Sequence, residues 1–91
     1  MARKRTELAE EAGTRLGILR SALDFKTVRA FAKELDVKED RYAAWESGKA
    51  VIPPHMVERL RAKWGVSADW IYFGVGLAMP NELYKKISDI A

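Results

Sequence analysis

The 91 residues include no cysteine. That excludes a disulfide framework, a thiolate nucleophile and a Cys-rich zinc site, and it leaves the redox compartment open. The single histidine, His55, cannot build a His-based metal cluster or a catalytic triad, and it is expected on the surface in the first turn of a helix. No apolar run is long enough for a signal peptide or a membrane span, since the opening MARKRTELAEEAG is basic and then acidic. A cytoplasmic protein without membrane association is the expectation. Period-two alternation over the length of a strand is missing, as are internal repeats, low-complexity stretches and any linker long enough to separate a pair of folded domains. Nothing supplies a nucleophile, a phosphate-binding loop or ligand spacing, so neither an enzyme nor a cofactor is expected, and no small-molecule ligand.

What is present suits one folded domain. A chain of this length buries about two-thirds of its unfolded surface, enough for a modest core without staples. Hydrophobic residues at 48% and charged residues at 32% are ordinary for a globular chain and too apolar for a disordered one. The net charge of +3 and the pI near 9.3 favour polyanionic partners only mildly.

Apolar residues recur at three- and four-residue spacing, which predicts an all-α fold: a compact bundle of five short helices with a sixth at the C-terminus. Thr6 is the expected cap of a first helix running to about Leu23, with Leu16, Leu19 and Leu23 as its buried stripe. Gly13 and Gly17 weaken it, so the segment before Thr14 is expected to fray or form a separate turn. Residues 1–13 are accordingly read as an extension, 14–76 as the main domain and 77–91 as a terminal helix. Thr27 caps a second helix, Val28 to Leu35, burying Val28, Phe31, Ala32 and Leu35. Asp36 follows in a tight turn that calls for a left-handed residue. A third helix, about Lys38 to Ser47, sets Tyr42 and Trp45 on one face, and Gly48 ends it. Pro53 and Pro54 open a fourth, burying Met56 or Val57, Leu60 and Trp64 and ending at Gly65. Ser67 caps a fifth, whose Trp70, Ile71 and Phe73 complete the core; Asn81 caps the last, with Leu83, Ile87 and Ile90 on one face. Helical spacing assigns Trp45, Trp64, Trp70, Tyr72 and Phe73 to packing rather than to a base-stacking platform.

The segment TVRAFAKELDVKEDRYAAWESGK resembles the bacterial and phage helix-turn-helix domains of the Cro and repressor type. Thr27, Phe31, Ala32, Leu35, Asp36, Val37, Tyr42, Trp45, Glu46, Gly48 and Lys49 fill the places of that family's pattern. VSADWIYFG resembles its closing helix, and the likeness spans about Arg15 to Gly74. It implies a sequence-specific regulator of transcription that binds double-stranded DNA as a homodimer, the third helix entering the major groove, where each base pair shows a distinct donor and acceptor pattern. Lys38, Glu39, Asp40, Arg41, Ala43 and Ala44 become the groove-facing candidates. Lys26, Thr27, Arg29 and Lys49 join them on the DNA face, and Lys26, Arg29, Lys38, Arg41 and Lys49 are the candidate phosphate contacts. An N-terminal arm of Arg3, Lys4 and Arg5 could lie along a groove or merely solubilise the terminus. The resemblance also implies that Glu46 pairs with Arg20.

The sequence departs from the pattern in three respects. Val28 stands where the family carries a phosphate-clamping Gln, Asp36 replaces the usual turn glycine, and Glu39 and Asp40 occupy places of neutral or basic base-readers. Carboxylates facing phosphate repel it unless they accept from cytosine amino groups. The acidic pair therefore keeps a second reading open, an antitoxin-like or anti-repressor module that binds protein. The stripe Leu83, Ile87 and Ile90 must bury against the chain's own core or against the same stripe of a second copy, and the copy is the preferred dimer contact.

Overall fold

A computed structural model describes residues 4–90, apart from the Arg5 side chain, and folds them into six helices with no strand among the described residues. They are α1 Arg5–Ala22, α2 Val28–Glu34, α3 Glu39–Glu46, α4 Pro54–Trp64, α5 Ala68–Phe73 and α6 Asn81–Ile90. The all-α class and the helix count agree with the sequence reading.

Two signals at the start of α1 work differently from expectation. The capping position is Lys4, whose side chain makes no capping bond, and Thr6 lies inside the first turn. The helix also runs unbroken through Gly13 and Gly17. Burial offsets their poor propensity: Ala9 and Ala12 are buried ahead of Leu16 and Leu19, so the first turns are held by packing. Leu23 lies just past the helix end and is half-buried.

The α2–α3 unit follows its local chemistry. Thr27 Oγ1 accepts from the Ala30 amide at 3.1 Å, starting α2. At its far end the Asp36 amide donates to Lys33 O and the Val37 amide to Ala32 O, both at 3.1 Å. This is the doubled closure that needs a left-handed residue, and Asp36 takes it at φ 56°. Asp24, in the α1–α2 loop, is left-handed too, at φ 65°.

One core joins all six helices. Phe31 is its aromatic centre, edge-on to Tyr42 at 5.3 Å and stacked on Trp64 at 5.6 Å. Both Met56 and Val57 are buried, with Leu60, Trp70 and Ile71, whereas Trp64 stays half-buried. Phe73, expected to complete the core, is instead 60% exposed. With α5 only six residues long, Trp70 and Ile71 take the inward face and Phe73, two residues on, falls away from it.

The C-terminal helix corrects two further expectations. Asn81 is its first helical residue rather than its cap. Leu83 and Ile87, assigned above to a dimer contact, are buried in this chain's own core with Met79, so they are not presented to a second copy. The core here is large enough to use the stripe, and of its three members only Ile90 stays exposed.

Candidate nucleic-acid interface

The back of α3 is fixed and its front is open. Tyr42 and Trp45, three residues apart, face inward and are buried, while Lys38, Glu39, Asp40 and Arg41 are exposed. Ala43 and Ala44 are half-buried, and the Ala44 carbonyl accepts from the Lys49 and Ala50 amides, which ties the following loop to the helix.

The predicted site residues are distributed rather than gathered into one cluster. Arg29, Lys38 and Glu39 share an open groove between α2 and α3 with Lys33 and Asp36. Lys38 and Arg41 also line a smaller, more enclosed groove with Asp36, His55 and Arg59. Lys26 lies apart, beside Arg20, Asp24 and Phe25, and Lys49 borders Thr6 and Ala9 of α1. Thr27 is exposed, its hydroxyl already engaged as the α2 cap. Lys4 is exposed; Arg3 and the Arg5 side chain fall outside the described residues.

Charge at the tip of α3 is nearly balanced. Glu39 and Asp40 occupy the first turn, where negative charge suits the helix dipole, and Asp40 Oδ1 accepts from the Arg41 amide at 2.9 Å. One amide of the first turn is therefore served by Asp40, and Arg41 and Lys38 supply the positive charge beside it.

The other end of α3 is clipped to α1. Arg20 Nε donates to both carboxylate oxygens of Glu46, at 3.0 and 3.3 Å, and Arg20 Nη1 donates to Phe25 O at 3.0 Å. The two side chains are only 19% and 14% exposed, so the pair is shielded from most of the solvent. Beneath it lies the Tyr42 hydroxyl, buried with no hydrogen-bond partner; Glu46 acts on it by charge without meeting the geometry of a bond. Burial pushes the Tyr42 phenol well above its ordinary range, the Glu46 charge adds to the rise and the Arg20 charge opposes it.

One residue that sequence reasoning missed braces the turn between α2 and α3. Arg59 Nη1 donates to Leu35 O at 2.8 Å and to Asp36 O at 3.2 Å, serving carbonyls at the end of α2. No local signal marks it, because its partners lie more than twenty residues away in the chain. A second missed feature is an apolar groove formed by Leu8, Val51, Ile52, Pro53, Pro54 and Tyr72, with Phe73 among its walls. None of these residues belongs to α2 or α3.

Two helices joined by a tight left-handed turn, the second inserted by its back into a bundle and bare on its front, define a helix-turn-helix domain. A family model described as a helix-turn-helix domain matches residues 13–77, and the chain belongs to that family, in the Cro and repressor-like group. Neither the curated proteins nor the solved structures contain a match. The matched stretch leaves out the first two turns of α1 and all of α6. No helix among the described residues is long and apolar enough to cross a membrane.

Proposed function

We propose that this protein is a sequence-specific, DNA-binding regulator of transcription that places α3 in the major groove of an operator. The observation that carries the reading is the division of α3 into a buried back, Tyr42 and Trp45, and an exposed front running from Lys38 to Arg41. A helix held this way fits the groove without any rearrangement of the bundle. Lys26, Arg29, Lys38 and Lys49 contact phosphates on either side, Arg41 pairs with a guanine, and Glu39 or Asp40 accepts from a cytosine amino group. Thr27 closes on the backbone, and Ala43 and Ala44 offer methyl surface to a thymine. Selection of bound sequences from a random DNA pool tests this directly. A single enriched motif is expected, and a pool that stays unenriched would remove the reading.

The regulator acts as a homodimer, because a domain this small spans few base pairs and a two-fold pair reads matched half-sites about one helical turn apart. Its contact is the groove between α1, the α3–α4 loop and α5, in which an exposed Phe73 stands beside the apolar walls. A two-fold contact needs one patch to complement itself, and this patch holds both a projecting ring and a recess while leaving α2 and α3 free. Phe73→Asp is expected to yield monomers in light scattering; an unchanged mass would exclude this face.

The second reading, a helix-turn-helix fold turned to protein binding, is favoured by one feature, the acidic pair in the first turn of α3. It predicts no enrichment in the DNA selection and no gain in DNA affinity when those charges are removed.

A further inference from the structure

The packing of α1 against α3 assigns a role to Gly13 that its sequence neighbourhood does not suggest. Gly13 is buried, and a Cβ built there would lie 2.6 Å from both the Trp45 and the Glu46 carbonyl oxygens. Those oxygens belong to the backbone at the end of α3 and cannot swing aside. One turn further along α1, a Cβ on Gly17 would meet Glu46 Oε1 at 2.9 Å. The two glycines, four apart, form a notch on one face of α1 into which the end of α3 and its Glu46 carboxylate are set.

We infer that Gly13 is a positioning residue for DNA reading: its missing side chain sets the depth at which the end of α3 rests on α1, and through this the aim of Lys38 to Arg41. The inference rests on the DNA-binding reading above. To reach ordinary contact at 3.4 Å from 2.6 Å, an alanine at 13 must lift the end of α3 by about 0.8 Å. Because α3 is only eight residues long and packed along its back by Tyr42 and Trp45, it moves as a unit rather than bending. A shift of that size spoils paired hydrogen bonds to a base edge, which need a donor-acceptor distance near 2.9 Å, while phosphate contacts from flexible lysines adapt.

The test uses the full chain and the sequence enriched from the random pool, together with copies altered at single base pairs. In Gly13→Ala the preference for the enriched sequence over a copy altered in the α3 contact region should fall about fivefold or more, the lower value of one well-made pairing. The salt dependence of binding should stay as in the wild type, because the number of phosphate contacts does not change. A glycine that is merely a weak point in a helix behaves oppositely: alanine there raises the melting temperature and leaves base preference untouched, and that result overturns the inference. Should Gly13→Ala fail to fold, Gly17→Ala serves, since its methyl meets only the end of a flexible side chain. It should reduce preference in the native background and have no further effect beside Glu46→Ala, because both act through one carboxylate; full additivity of the two changes contradicts the notch. If the wild type binds no DNA, the functional reading fails separately. The notch is then judged by amide chemical shifts along α3, which should move together in the glycine variant, and shifts confined to residue 13 and its chain neighbours would refute it.

Discussion

The two ends of α3 are held in opposite ways. At its C-terminal end Glu46 is clasped by Arg20, its carbonyl lies against the bare Gly13, and Trp45 is buried. At its N-terminal end Lys38 offers no side-chain cap, and Glu39, Asp40 and Arg41 stand in solvent with their charges nearly cancelled. One end is located by contacts that act at short range and tolerate no displacement; the other keeps rotameric freedom for a partner. A helix so mounted carries its discrimination in where it points rather than in attraction at a distance, because balanced charges give little long-range steering.

Breaking the fixed end should cost the most stability. Arg20→Ala removes both bonds to Glu46 and the bond to Phe25 O and leaves a half-buried carboxylate unpaired. The loss should be about 2–3 kcal/mol, between the values for exposed and fully buried pairs, read from denaturant unfolding. Breaking the free end should leave stability alone and act on binding. Arg41→Ala should weaken the enriched site by about 1–3 kcal/mol and relax preference at one base pair. In titrations, a uniform loss across all sequences would make Arg41 a phosphate contact instead.

Removing negative charge from the free end should have a smaller and opposite effect. Glu39→Gln or Asp40→Gln is expected to raise non-specific affinity about two- to fivefold at low salt by relieving phosphate repulsion. Preference should fall at whichever base the carboxylate reads. The smallest change belongs to the interior. Tyr42→Phe removes a buried hydroxyl that has no partner, so neutral-pH stability should stay within about 0.5 kcal/mol of the wild type or rise slightly. Its effect appears in alkali. The folded chain keeps the Tyr42 proton above the pH at which the unfolded chain releases it, so stability falls as pH rises past 10.0, by up to about 1.4 kcal/mol per pH unit. Tyr42→Phe should lack that portion of the fall, as parallel unfolding curves at pH 9 and about pH 11 would reveal.

Much of this was legible in local sequence, because local chemistry governs it. Thr27 and Ser67 cap the helices they precede, Asp36 takes the left-handed turn, and Tyr42 and Trp45 face inward at helical spacing. What escaped depends on partners distant in the chain. Gly13 and Gly17 look like helix defects until the end of α3 is seen against them. Arg59 resembles any surface arginine on an amphipathic helix, although it holds the turn between α2 and α3. The stripe of α6 was correctly apolar, but periodicity says only that Leu83 and Ile87 need cover, and this chain's own core supplies it. Phe73 went astray for the reverse reason, since a short α5 has room for only two inward side chains.

The measurement that bears most directly on the central claim is a titration of the wild-type protein against its enriched sequence and a scrambled control at several salt concentrations. The account predicts binding that weakens linearly in log–log form as salt rises, with a preference for the enriched sequence of about a thousandfold or more that persists across the series. No salt-dependent affinity in the wild type, and none gained by Glu39→Gln or Asp40→Gln, would contradict it and leave protein binding as the use of this helix-turn-helix.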